Sequence, residues 1–521
     1  MQLTPPSISA SLPATEEFLA KIEDRLSEFD HALNLELWNE SLGRSGARVG
    51  ACERRRRDLL ALPGLREWAH GVRDRGAPEL VARRLELLER MCLDALLEPA
   101  PGISRLRNRL RSRMYRFRAK IAGRRVSGGD IFDHLWKDPN RAHRKEAFYC
   151  QDPLFRLLEP SIRELVETRN QTARELGFRG FAQAWLSLEG LSCTDLADLL
   201  DGLPLGRLRT LARHRRERYH EKTRFEEWYP WDETFLPSLE SPVGDRLFPR
   251  EGMLESVLAG LRQWGFSRGA FGFQLTRGPN PFVGSEIAVR TPGDVRILVD
   301  LRGGHTNYGI LFHEIGHAIH SRSVRAPTHL FRCHEFSASY SSLNEGIGGV
   351  FEKIASQENW LLTRSGISRE EVRALRARSA EGMATRLVEL AAVVKGELAL
   401  YRNPKADVGG ILSRTLNGVL GFDDHAPRSW VDGFYLDTPL YNKSYLLATF
   451  FSSQVLQAAV RDLGGELWPN ARIGPWLTER VLAPGAIDDW IPRLQRAAGR
   501  ALDSGPFFEE TEHAIREGRS G

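Results

Sequence analysis

The sequence predicts a mostly α-helical fold with one small β-sheet set beside a central helix. Three observations lead there. Apolar residues recur at helical spacing through the first half of the chain. Between about Arg224 and Gly309 the texture changes: Pro, Gly, Trp and Phe cluster, and two short strand-like runs appear. After Gly304 helical spacing returns and continues through most of the remaining chain.

Taken in order, "EEFLAKIEDRLSEFDHALNLELWNESL" (Glu16–Leu42) places Phe18, Leu19, Ile22, Leu26, Phe29 and Leu33 on one helical face. Pro78–Leu97 and Phe155–Leu176 show the same period, and Pro78 suits a first turn, where a missing N–H costs nothing. Arg105–Arg125 carries a stripe of Leu106, Leu110, Met114, Phe117 and Ile121 among arginines, which reads as a further amphipathic helix. This stretch and "ERRRRD" (Glu53–Asp58) are read as solvated faces rather than nucleic-acid surfaces. Glu286–Arg290 "EIAVR" and Val295–Leu301 "VRILVDL" read as strands, bounded by the turn residues "TPGD" and "GG". Nothing repeats at a period typical of solenoids.

Composition narrows the function. Of 521 residues, 41% are apolar and 27% charged, a balance that supports a large globular core. The net charge of +5 arises from 73 basic and 68 acidic residues, which gives nucleic acid little support as a partner. The five cysteines are widely spaced with no CxxC, as expected for free thiols in a reducing compartment. The first residues lack the basic start and apolar run of a secretory signal, and no long uninterrupted apolar run suggests a membrane span. The expectation is a soluble, cytoplasmic protein, with no membrane or nucleic-acid partner and an undetermined oligomeric state.

The chemistry centres on "LFHEIGHAIH" (Leu311–His320). Four residues apart on a helix, His313 and His317 face the same side about 6 Å apart along the axis, which suits two bonds to one Zn²⁺. Glu314 sits at the side of that face, placed to act as general base on a water at the metal without binding it. The other positions (Leu311, Phe312, Ile315, Ala318, Ile319) are apolar, so the helix is expected to be buried, and a buried His-Glu-His triplet needs partners. Gly316 is read as leaving room beside the metal.

A catalytic zinc takes three protein ligands and keeps one position open. Two glutamates downstream could complete the set. Glu335 lies in "CHEFSAS"; Glu345 lies in "NEGIGGVFEKIA", where Leu343, Ile347, Val350, Phe351 and Ile354 define an apolar helical face. A rigid helix holds a ligand better than a loop, so Glu345 is favoured. Gly346, Gly348 and Gly349 would let its helix approach the first one closely. His320 and His334 are read as packing or supporting residues rather than ligands.

These motifs resemble the zinc peptidases of the thimet oligopeptidase and oligoendopeptidase F type, whose plan is shared by the angiotensin-converting-enzyme-like and carboxypeptidase Taq-like peptidases. The likeness rests on "FHEIGHAIH", the glutamate helix after it, and the Tyr-rich "FYLDTPLYNKSYLLATFFSSQVLQ" (Phe434–Gln457). The earlier "ETRNQTARELGFRGFAQAWL" is similar to a helix-turn-helix of the same families, so the match runs loosely from Glu167 to Gln457. The resemblance implies a two-lobed helical metallopeptidase with a deep central channel. Residues 1–223 would form an N-terminal helical lobe walling the channel, and residues 224–521 the catalytic lobe, with the two interleaved. It implies Glu345 as third ligand and a tyrosine that donates to the oxyanion: Tyr445, with Tyr441 as the alternative.

Three positions depart from the pattern. Gly349 stands where the converting-enzyme branch has an aspartate that orients a metal histidine, so an orienting partner is sought nearby, at Ser341, Ser342 or Asn344. Tyr435 stands where the family has a histidine, and His425 lies too far upstream to replace it. The spacing from His313 to Glu345 is also longer than usual. The expected function is zinc-dependent hydrolysis of short peptides laid along an edge strand supplied by "VRILVDLRGG". Alternatives are a specialised metallohydrolase on the same scaffold, such as a maturation peptidase for one product, and a non-catalytic scaffold.

Overall fold

A computed structural model describes residues 3–44, 48–97, 101–240, 247–280, 283–332, 341–422 and 438–518. Glu335, His334, Tyr435, His425 and Cys333 lie outside the described residues. The chain is mostly helical with a small sheet, as its periodicity predicts.

The three predicted amphipathic helices of the first half are present as α1 (Leu12–Ser41), α2 (Glu79–Leu97) and α4 (Asp152–Glu175), and α1 buries Phe18, Leu19, Ile22, Leu26 and Leu33. Between α2 and α4, the predicted arginine-rich helix is shorter than its stripe. Helix α3 ends at Arg116 (Pro101–Arg116), and the chain then forms a hairpin of β1 (Ala119–Ile121) and β2 (Arg124–Val126). The reason is local: Ala122 (φ 49°) and Gly123 (φ 76°) both take the left-handed conformation that a two-residue hairpin turn requires, which outweighs the helical stripe ending at Ile121.

The central sheet has the order β3–β5–β4, from β3 (Gln274–Arg277), β4 (Gly284–Arg290) and β5 (Asp294–Val299). β4 and β5 are the two predicted strands and pair antiparallel. The strand missing from the sequence reading is β3, which pairs parallel to β5. Its pattern is one reason: no side chain of β3 is fully buried, so it carries no apolar alternation. With β3 in place, β5 is the central strand, and the edge assigned to "VRILVDL" belongs to β4 instead. The far end of that edge is covered by α1, whose Asn34 Nδ2 donates to Ala288 O at 3.1 Å and whose His31 Nδ1 lies 3.3 Å from Val289 O.

After β5 the chain turns sharply through Gly303 and Gly304 into α5 (His305–Ser323). A Cβ at 303 would stand 2.9 Å from Phe248 O, and Gly304 has φ +103°. Helix α6 (Ser341–Glu352) packs directly on α5, α8 (Asn442–Leu463) packs on α6, and α7 (Arg369–Arg402) packs on α8. A capping box of Ser368 and Glu371 starts α7. Two large apolar cores flank α8. Leu447, Phe451 and Val455 face the first, with Ile315, Ile319, Ile347 and residues of α1 and α2; Leu446 and Phe450 face the second, with Leu158, Leu165, Leu387 and Val394. No helix among the described residues is long and apolar enough to cross a membrane.

Candidate metal centre

The site is built where α5, α6 and α8 meet beside β4. Helix α5 buries apolar residues nearly all round, including Leu311, Phe312, Ile315, Ala318 and Ile319, and leaves one polar strip of His313, Glu314 and His317. The rings of His313 and His317 stand 4.7 Å apart at 77°. On α6, Glu345 is buried, and its Oε2 lies 3.3 Å from His313 Nε2. One donor atom each from His313, His317 and Glu345 falls within 4.8 Å of the others, and this is the metal-type cluster found among the described residues. His320 is buried on α5 outside the cluster.

The close approach of the helices depends on glycine. A Cβ at Gly348 would sit 2.4 Å from His313 Nε2, so the imidazole occupies the space that a side chain would need. The other glycines serve different contacts from those expected. A Cβ at Gly346 would meet the Phe451 ring at 2.6 Å, and one at Gly349 would meet Ser452 of α8 at 3.3 Å; both therefore face α8 rather than α5. Gly316 leaves room for the Phe351 ring of α6, at 2.6 Å, and not for a metal.

The orienting partner sought for the first histidine is Glu352, which sequence reasoning missed. Its Oε2 lies 3.2 Å from His313 Nδ1. It is seven residues, about two helical turns, after Glu345, which returns it to the same face of α6. That periodicity was the available signal. Position 349, one turn after Glu345, points to Ser452 instead. Ser341 and Ser342 bond to Glu189 and not to a metal histidine.

Electrostatics concentrate negative charge on this spot. Burial alone would lower the His313 pKa, but Glu345 and Glu352 outweigh it and hold the imidazole well above its ordinary value. Burial would raise Glu345, yet His313, His317 and the Tyr441 hydroxyl keep it below the ordinary carboxylate value. Two imidazoles and a carboxylate converging in this potential fit a divalent cation of borderline softness, with zinc the natural choice. Glu314 is different. Burial, with Glu345 and Glu352 nearby, lifts it to about 7 against His313 and a main-chain hydrogen bond from Glu286 on β4.

The two tyrosines divide. Tyr441 donates to Glu345 Oε1 at 2.5 Å, and burial and Glu345 push its pKa well up. Tyr445 is half-buried, with its ring 5.4 Å from that of Tyr441, and its hydroxyl bonds to no described group. The guanidinium carbon of Arg386, on α7, lies 5.7 Å from the centre of the Tyr445 ring.

No family model and no curated protein matches the chain. Solved structures do. Trypanosoma cruzi metallocarboxypeptidase 1 superposes with a TM-score of 0.70 at 15% identity, over 97% of this chain and 100% of that one. A Pyrococcus furiosus carboxypeptidase in an apo-Mg form gives 0.68 at 16% identity, over 98% and 100%. The M32 carboxypeptidase from Deinococcus radiodurans R1 gives 0.65 at 15% identity, over 97% and 100%. The chain has the fold of the metallocarboxypeptidases. End-to-end coverage on both sides means that both halves of the chain, and not the metal helix alone, belong to this architecture.

Proposed function

We propose that this chain is a zinc-dependent peptidase that hydrolyses short peptides. The observation that carries the reading is the convergence of His313, His317 and Glu345 within 4.8 Å, with Glu314 beside the two histidines on α5. A zinc ion held by those three residues supplies Lewis acidity and a more acidic water. Glu314, beside the two histidines on α5, takes a proton from the attacking water and delivers it to the leaving amine. Glu352 fixes the orientation of His313 through Nδ1. Tyr445, whose hydroxyl bonds to no described group, donates to the oxyanion; Tyr441 holds Glu345. The substrate backbone pairs with the near end of the β4 edge, around residues 284–287, because α1 covers Ala288 and Val289.

Residues 1–223 wall the site and residues 224–521 carry it. This division is supported by α1 closing the β4 edge and by Glu189 reaching Ser342 at the start of α6. Cys52, Cys92, Cys150 and Cys193 are all free thiols, which suits a reducing cytoplasm. A second reading, removal of C-terminal residues, is favoured by Arg386, a cation beside Tyr445 able to receive a terminal carboxylate, and by the solved carboxypeptidases of the same fold.

The test is incubation of the zinc-loaded protein with a peptide library, read by mass spectrometry. Glu314→Gln should retain zinc and lower kcat by about 10²–10⁴-fold. Amidated C-termini separate the readings: loss of cleavage on amidation marks the carboxypeptidase, and retained internal cleavage the oligopeptidase. A protein that binds zinc and cleaves no peptide would overturn both.

A further inference from the structure

Beside the metal centre lies a buried ion pair that the proposed reaction does not use. Glu189 follows a short helix (Phe181–Ser187), and Lys443 lies in the first turn of α8; their side chains are 0% and 2% exposed. Glu189 Oε1 accepts from Ser341 Oγ at 2.7 Å and from the Ser342 N–H at 2.9 Å. Oε2 accepts from Ser342 Oγ at 2.8 Å and from Lys443 Nζ at 2.5 Å. Lys443 also donates to Ser444 Oγ at 3.0 Å and lies 3.3 Å from Ser341 Oγ, and Ser341 and Ser444 are themselves joined at 2.8 Å. Carboxylate and ammonium are thus both fully satisfied.

The cluster ties two helix starts together. Ser341 and Ser342 precede Glu345 by one turn on α6, and Lys443, in the first turn of α8, follows the N-cap residue Tyr441 by two residues. The groups just beyond it, the Glu345 carboxylate and the Tyr441 hydroxyl, are bonded to each other. Helix stability does not explain the arrangement. A carboxylate at the first turn of α6 has the favourable sign, but an ammonium in the first turn of α8 opposes that helix's dipole. Nor is a buried pair a general stabiliser, since neutral groups of similar shape are often as stable. What it does supply is a fixed relation between α6 and α8.

We infer that Glu189 and Lys443 are positioning residues that set Glu345 and Tyr441 relative to His313 and His317. This rests on the metal reading above. The experiment measures zinc affinity by chelator competition, thermal stability and steady-state kinetics on Glu189→Gln, Lys443→Met and the double variant, with Glu345→Gln as control. Each single change leaves a buried group unmatched and should lower Tm. The double change should recover most of the Tm yet bind zinc about tenfold or more weakly, with kcat reduced at similar KM. A double variant with wild-type zinc affinity and kcat would overturn the inference and leave the pair a structural role only. Should it fail to fold, zinc affinity is read on Glu189→Gln alone, well below its Tm, because that change weakens the link from Ser342 to Lys443. The same loss of zinc affinity is expected there, and unchanged affinity overturns the inference. If Glu345→Gln binds zinc like the wild type, the metal reading fails first, in a protein whose Glu189 and Lys443 are intact.

Discussion

Glu352 controls how firmly His313 is aimed. With its Oε2 3.2 Å from Nδ1, it fixes which ring nitrogen faces Glu345. Glu352→Gln weakens that hold, and zinc affinity measured by chelator competition should fall about 10–100-fold while the fold persists. The tyrosines call for opposite readouts. Tyr445→Phe removes a hydroxyl that bonds to no described group and should lower kcat by about 10²-fold with little change in KM. Tyr441→Phe strips a hydrogen bond from Glu345 and should act first on zinc affinity. An unchanged kcat in Tyr445→Phe would take that residue out of the mechanism. The residues readable from sequence are those whose relation is fixed by covalent spacing on one helix: His313, Glu314 and His317. Glu345 was readable because its helix has a clear apolar face. Glu352 and Glu189 were not, because one contact depends on how α6 lies against α5 and the other joins positions 152 residues apart or more.

Between elements, glycine sets the spacing. The seam of α6 against α5 and α8 is closed by Gly316, Gly346 and Gly348, each facing an aromatic ring or an imidazole within 2.6 Å of where its Cβ would be. Gly348→Ala should therefore displace His313 and abolish tight zinc binding, which metal content after dialysis would show. Gly382→Ala, in α7 with nothing within 4 Å of the new Cβ, is the matching control and should stabilise by about 0.5–1 kcal/mol. Equal loss of zinc in both would refute the steric account. The "GIGG" run announced a close approach, but only the assembled helices show which neighbour each glycine meets. Strands follow the same logic. β4 and β5 carry β-branched runs bounded by turn residues and were legible. β3 carries no such pattern, and without it the edge of the sheet was assigned to the wrong strand. The hairpin after α3 was hidden by a helical stripe that continues across a turn set by Ala122 and Gly123.

At the scale of the whole molecule, α2 is clamped to the C-terminal segment around Asp489 close to the Glu189 loop. Asp489 receives Arg90 through both carboxylate oxygens, at 2.7 and 2.9 Å, and Arg83 at 2.8 Å. Arg90 also lies 3.3 Å from Leu188 O, so α2 holds the segment around Asp489 and the loop bearing Glu189 at once. Burial would raise the Asp489 pKa, but Arg90 and Arg83 outweigh it and hold it below the ordinary aspartate value. A carboxyl depressed in the folded state stabilises fully above its unfolded pKa, and that stabilisation is lost as pH falls through the folded value. Asp489→Asn should therefore cost about 2 kcal/mol at neutral pH, less than the roughly 3–5 kcal/mol of a fully buried pair because the Asp489 side chain is 24% exposed. Urea unfolding of both proteins should show the gap constant from about pH 7 to 5, since both lie above the unfolded aspartate value, and closing below about pH 4. A gap that persists unchanged into strong acid would mean that the clamp acts through shape rather than through the Asp489 charge.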